Sequence, residues 1–268
     1  MKPFGVQMFA SPGVRKDERN EQELGEDATG LVIKNNHAVI WVADGATGVK
    51  IKANIKHEGL NFNSRVLAKY LGRCFENMVF KCDPPKTQLD EAFYEDTKNA
   101  LQSALSVRLE SIRKYLSQNK NSISTALFAK ETKGDEVFYS FEWSATFVGA
   151  VIDMENESCS TISIGDGVAI VDDIPISNRL NRVFVSWYIS EDFESSHIEI
   201  ASKKPRIEEV DNMKSVILMS DGVINGNALN EFERNLEGED SESIWNELKN
   251  MNTITDDDKI AIRFTLMG

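Results

Sequence analysis

Apolar residues in this chain recur with two different periods, and each change of period marks a boundary between elements. Thr29 to Lys34 and His37 to Ala43 read as two strands joined by Asn35-Asn36, a pair suited to a tight turn. From Ser64, a good helix-capping residue, the spacing becomes three and four, through Val66, Leu67, Tyr70, Leu71, Cys74, Phe75 and Met78. A second helical stretch runs from Leu89 to Leu116, with Ala92, Phe93, Leu101, Ala104, Leu105, Leu109 and Ile112 on its apolar side. Asp83-Pro84-Pro85 separates the two helices. From Ile123 to Val171 the period falls to two, or to continuous apolar runs, as in a series of short strands. Val183 to Ile189 and Val216 to Ser220 are further strands, and helices are expected over Ala228 to Leu236 and Ser241 to Lys249. Lys259 to Leu266 makes the last strand. Strands, two helices, many strands, two helices and a strand suggest helices covering antiparallel sheets. With no internal repeat and no composition break, a single domain over residues 1–268 is expected.

Three apolar runs end in the same dipeptide: Trp41-Val42-Ala43-Asp44-Gly45, Ser163-Ile164-Gly165-Asp166-Gly167 and Leu218-Met219-Ser220-Asp221-Gly222. Asp-Gly is a common hairpin turn, and Asp166-Gly167 suits that role because Val168 to Val171 supplies a returning strand. The other two are followed by no clean alternating strand, which favours carboxylates placed for chemistry. Gly25-Glu26-Asp27-Ala28 precedes the first strand, and Thr255-Asp256-Asp257-Asp258 opens the last. If these strand ends lie together, several carboxylates share a small volume. Like charges a few ångströms apart raise each other's pKa, so such a cluster calls for cations. Hard divalent ions, which prefer oxygen ligands, answer that need.

Charge and cysteine content narrow the classes. The formal net charge of −13 argues against nucleic acid or an anionic membrane as the main partner, since both demand a cationic surface. No apolar stretch approaches the roughly 20 residues needed to span a bilayer, and the first residues do not read as a secretion signal. Three cysteines, Cys74, Cys82 and Cys159, match neither a zinc site nor a disulfide framework, so a reducing, cytoplasmic compartment is expected.

In order along the chain, the clusters are Glu26-Asp27-Ala28, Asp44-Gly45, Ser144-Ala145-Thr146, Gly165-Asp166-Gly167, Ser220-Asp221-Gly222 and Asp257-Asp258. This order resembles the metal-dependent protein phosphatase family of the 2C type, in a compact, bacterial-like form, over nearly the whole chain. The resemblance implies an α+β fold: a four-layer α-β-β-α sandwich of two antiparallel sheets flanked by helices. It implies a serine/threonine phosphoprotein phosphatase that hydrolyses phosphomonoesters with a metal-bound hydroxide at a dinuclear Mg2+ or Mn2+ centre. Asp44 matches the carboxylate that bridges both ions, and the Gly45 carbonyl matches a ligand of one. Asp221 and Asp257 match ligands of the first metal, and Glu26 and Asp27 line the second through water. Asp44, Asp221 and Asp257 would thus carry the catalysis, while Asp166 would help hold a third, weaker ion. The implied partners are a phosphorylated protein and the Ser/Thr kinase that modifies it.

The chemistry agrees with this resemblance. Two divalent ions about 4 Å apart stabilise the entering and leaving oxygens of an in-line displacement and generate hydroxide near neutral pH. The chain has only three histidines, His37, His57 and His197, and no convincing Ser-His-Asp or Cys-His set. Acidic ligands also favour Mg2+ or Mn2+ over Zn2+.

Departures from the family pattern are specific. Arg15 and Arg19 are the nearest candidates for the arginine that grips phosphate in many relatives. Ala46 stands where some relatives carry a histidine, Gly167 replaces a common serine, and Asn225 replaces an acidic residue. Lys50, Lys52, Lys56 and His57 lie between Val49 and Asn63, a local basic run that could draw in a phosphorylated substrate. Asp172 to Asp211 occupies the place of the family's flap, and substrate choice is expected in these two segments. Two other readings stand beside the phosphatase. One is a pseudophosphatase that binds phosphoproteins or a regulator, which would need none of Asp27, Asp44, Asp221 and Asp257. The other is a two-metal nuclease, against which the charge weighs.

Overall fold

In the computed structural model, the described residues are 2–11, 27–47, 64–118, 129–133, 136–177, 185–190, 196–200, 205–223, 238–250 and 258–267. Their elements run β1 (Phe4–Ser11), β2 (Ala28–Lys34), β3 (His37–Ala43), β4 (Gly45–Thr47), α1 (Ser64–Val79) and α2 (Glu91–Gln118). There follow β5 (Ala129–Lys133), β6 (Glu136–Ala145), β7 (Phe147–Asp153), β8 (Ser158–Ile164), β9 (Val168–Val171) and β10 (Ile174–Ser177). The remainder are β11 (Val185–Ser190), β12 (Ser196–Ile200), β13 (Arg206–Val210), β14 (Ser215–Met219), α3 (Ser241–Asn250) and β15 (Lys259–Leu266). The helix expected over residues 228–236 lies outside the described residues. Among the described residues no helix is long and apolar enough to cross a membrane.

Two five-stranded antiparallel sheets form the sandwich, ordered β1-β15-β14-β9-β10 and β13-β8-β7-β3-β2. Between them lie Ile40, Val42, Val148 and Ala150 from one sheet and Val216, Leu218, Ile262 and Phe264 from the other. The opposite face of β3, with Val39, Trp41 and Ala43, packs under Leu67, Leu71 and Phe75 of α1 and Phe93 and Leu101 of α2. On the far side, Ile244, Trp245 and Leu248 of α3 cover Ile170, Ile217 and Met219. The result is the expected α-β-β-α order. It also explains why β3 reads as a continuous apolar run: both of its faces are covered, so no polar alternation survives.

Trp41 fixes β3 to its neighbours. Gly30 is its partner in the β2–β3 ladder, and Gly72 of α1 closes on the indole from the helix side. A Cβ at Gly30 would fall 2.4 Å from the indole Nε1, and one at Gly72 would fall 2.3 Å from the ring. The indole N–H donates to Glu76 Oε1 at 2.7 Å, so burial of the ring leaves its polar atom satisfied. The Asn35-Asn36 turn behaves as expected, with φ of 49° and 60°, conformations that asparagine tolerates.

A third sheet, β12-β11-β6-β4 with β5 on β6, was not legible from periodicity. It prolongs the second. Val42 pairs with Val148 in β3–β7, and Gly45 pairs with Ala145 in β4–β6. Between these pairs, Thr146 N–H donates to the Asp44 carbonyl at 2.8 Å. The ladder therefore keeps one register as it passes from one sheet into the next, with Asp44 and Thr146 at the joint.

Candidate metal centre

The register places the acidic strand ends at one end of the sandwich. Ala28 pairs with Ala43, so Asp27 and Asp44 are the next residues beyond the last pair of the β2–β3 ladder. Phe147 pairs with Ile164, which brings the Gly165-Asp166-Gly167 turn to the same edge. In the other sheet Met219 pairs with both Val168 and Ala261, so Asp221 and Asp258 flank that edge as well. Ser220 ties the two acidic termini together. Its N–H donates to the Ile260 carbonyl at 3.0 Å, and its hydroxyl accepts from the Ile260 N–H at 3.1 Å. Asp221 then opens a short 3-10 turn, Asp221–Val223.

The Asp166-Gly167 turn is not the hairpin that its Asp-Gly pair suggests. β9 pairs with β14 and β10, not with β8, so this turn carries the chain from one sheet to the other. Gly165 adopts φ of 97°, a left-handed conformation natural to glycine. Gly167 sits between the layers: a Cβ there would lie 3.2 Å from Val148 Cγ1 and 3.4 Å from the Met219 carbonyl. A serine at this position needs the neighbours to give by a few tenths of an ångström.

Pleating gives three of the carboxylates a common face. Val42 and Ile260 face the gap between the sheets, and Asp44 and Asp258 each stand two residues away on the same strand direction. Ile33 of β2 packs into the same gap, and Asp27 shares its odd-numbered face. Asp27, Asp44 and Asp258 are 6%, 8% and 3% exposed. Asp166 and Asp221 are half-buried, and Gly45 is buried. Burying several carboxylates at one edge is costly unless positive charge offsets it.

Of the expected ligands, Glu26 and Asp257 lie outside the described residues, as do Arg15, Arg19, Asn225, His57 and the basic run from Val49 to Asn63. Among the described residues, no three histidine, cysteine or acidic side chains gather into a metal-holding cluster. The structure thus brings Asp27, Asp44, Gly45, Asp166 and Asp221 to one end without closing a ligand set from these alone. It adds Asp258, buried beside the expected Asp257. The signal for Asp258 was present in the acidic triplet, but sequence offers no means of choosing among adjacent aspartates. The donor set is hard oxygen throughout, carboxylates with a backbone carbonyl, and it fits Mg2+ or Mn2+ by chemistry.

Comparison with known proteins concerns nearly the whole chain. The sequence profile of the protein phosphatase 2C family matches residues 16–260. The serine/threonine phosphatase PstP/Ppp of Mycobacterium tuberculosis is similar in structure, with a TM-score of 0.51 at 12% identity over 99% of each chain. A bacterial serine phosphatase gives 0.49 at 16% identity over 99% of each chain. RsbX, in a complex with magnesium, gives 0.48 at 13% identity over 98% of this chain and 96% of that one. No curated protein matches the chain. The likeness to PstP/Ppp, at 12% identity, speaks to the fold alone, whereas the profile spans most of the sequence: the chain belongs to the protein phosphatase 2C family.

Proposed function

We propose that this protein is a metal-dependent serine/threonine phosphoprotein phosphatase. The observation that carries the reading is the common end of Asp27, Asp44, Asp166 and Asp221 on a fold of this family. Asp44 would hold both ions, the Gly45 carbonyl one of them, and Asp221 and Asp257 the first metal. Glu26 and Asp27 would bind the second through water, and Asp166 a weaker third. Two divalent ions supply electrostatic stabilisation of the transferring phosphoryl group and activation of water.

The protein's own residues supply position. Asp44 sits where a continuous ladder bends from one sheet to the next, and its carbonyl is held by Thr146. A carboxylate on so constrained a backbone keeps its direction as substrate enters. Ser220 holds the ends of β14 and β15 in register, which fixes Asp221 relative to the start of β15. Catalysis on this reading needs no side-chain nucleophile. The substrate is a phosphorylated protein paired with a Ser/Thr kinase, in the cytoplasm, with Arg15 or Arg19 as the phosphate-gripping side chain.

The test is phosphate release from p-nitrophenyl phosphate and from phosphoserine and phosphothreonine peptides with Mn2+. Asp44→Asn should lower kcat/KM by at least about a hundredfold, since even outer-shell changes at metal sites cost 10–100-fold. A wild-type protein that binds phosphopeptide with no turnover would instead be a pseudophosphatase. Cleavage of oligonucleotides with no phosphatase activity would identify a nuclease.

A further inference from the structure

The segment from Asp172 to Asp211 contributes β11 to the third sheet, beside β6. Val185 pairs with Ala145 and Ser186 with Ser144, and on the other side of β6 the backbone of Ala46 pairs with Ser144. Ala145, Val185 and Trp187 are all buried in the core under α1 and α2. By pleat alternation Ser144 and Ser186 therefore face the opposite way. That is the face on which Asp44 and Thr146 stand, because the ladder keeps one register from β3–β7 into β4–β6.

The two serine hydroxyls lie 3.0 Å apart and hydrogen-bond each other across β6 and β11. Each is only half-buried. A pair of hydroxyls carries two protons; one serves their mutual bond, which leaves one proton and several lone pairs for a ligand. Strand rise and spacing put Ser144 and Ser186 about 8–12 Å from Asp44 along the shared face. A phosphoryl group held at Asp44 is too small to reach them. An extended peptide covers that distance in about two to four residues at roughly 3.3 Å each.

We propose that the Ser144–Ser186 hydroxyl pair is a subsite for the substrate's main chain, two to four residues from its phosphorylated side chain. The proposal rests on the phosphatase reading above and names what that site recognises besides phosphate. Its chemical logic is that of an extended peptide, whose amides and carbonyls meet hydroxyls able both to donate and to accept.

The experiment compares a phosphopeptide of about nine residues, a version trimmed to one residue on each side, and p-nitrophenyl phosphate. A net hydrogen-bond contribution near 1 kcal/mol sets the scale. Ser144→Ala and Ser186→Ala should each lower the long-peptide kcat/KM about threefold to tenfold relative to that for p-nitrophenyl phosphate. The loss should fall on KM. It should shrink with the trimmed peptide, and Ser186→Thr, which restores a hydroxyl, should recover most of it. A loss equal for all three substrates, or no loss, overturns the subsite. If wild-type protein turns over none of the three, the phosphatase reading has failed separately. Fluorescence anisotropy of the labelled long phosphopeptide then decides, and an unchanged Kd in both alanine variants overturns the subsite.

Discussion

The two ends of the sandwich treat buried carboxylates in opposite ways. At the end away from the candidate centre, Asp153 closes the β7–β8 turn and is surrounded by donors. It accepts from the Glu155 N–H at 2.9 Å, the Asn156 N–H at 3.1 Å and the Asn156 side-chain amide at 2.8 Å. His37 Nε2 lies 3.6 Å away. Burial pushes this carboxyl up, but the Asn156 and Glu155 donors, with His37, outweigh it and hold its pKa below the ordinary value. At the other end, Asp27, Asp44 and Asp258 are buried with further acids at the same edge. One end surrounds a single carboxylate with donors; the other gathers several carboxylates along one edge. A fold tolerates the first for stability, whereas the second is the arrangement expected where cations bind.

The largest effects should separate the ends by their response to metal. Chelation should abolish phosphatase activity, and Mn2+ or Mg2+ should restore it. Saturating Mn2+ should also raise the melting temperature, with a stabilisation of about 2.7 kcal/mol at a hundred times Kd. Asp44→Asn should remove that metal-dependent rise. In metal-free buffer the same variant relieves repulsion among several like charges, so its loss of stability should be smaller than that of Asp153→Asn. Calorimetry that found it as destabilised as Asp153→Asn would erase the contrast between the ends.

Next in size is the packing of the strands that carry the acids. Alanine normally favours a helix over glycine by about 1 kcal/mol, so propensity alone would make Gly72→Ala stabilising. Contact with Trp41 at 2.3 Å reverses the sign, and a net loss of about 1–3 kcal/mol is expected by denaturant unfolding. Gly30→Ala should behave likewise. Hydrogen exchange in Gly30→Ala should quicken near Ala28 and Ala43 more than near Asp153, since Trp41 lies towards the acidic end.

A smaller effect concerns pH at the opposite end. The folded pKa of Asp153 lies below its unfolded value of about 3.9. Its contribution to stability is therefore complete above that value and is lost as pH falls through the folded pKa. Asp153→Asn should cost about 1–3 kcal/mol at pH 7, and the gap from wild type should close below about pH 4. Phosphatase activity at neutral pH should survive this change. The smallest effect should come from Lys2→Ala. Its 2.6 Å pairing with Glu157 is exposed on both partners, and such pairs contribute about 1 kcal/mol or less.

Much of this architecture was legible because local patterns encode it. The Asn35-Asn36 hairpin, α1 from Ser64, α3 from Ser241 and β15 from Lys259 stand where residue spacing puts them. β1 was less legible: Phe4 and Val6 pack inward only because β15 lies beside them, and its sequence, FGVQMFAS, alternates weakly. The turn at Asp166-Gly167 deceived for a related reason. Its residues specify a reversal of direction, and nothing local says whether the returning strand joins the same sheet or the facing one.

Sequence alone carried the β2–β3 hairpin, α1, α3, β15 and the family, because residue identity and spacing express these directly. Tertiary structure alone decided that Asp44 stands at a joint between two sheets, that Asp258 is buried at the same edge, and that Ser144 meets Ser186. Each of those depends on register between segments far apart in the chain. Register is set by how side chains pack across and between sheets, and no single stretch of sequence contains that information.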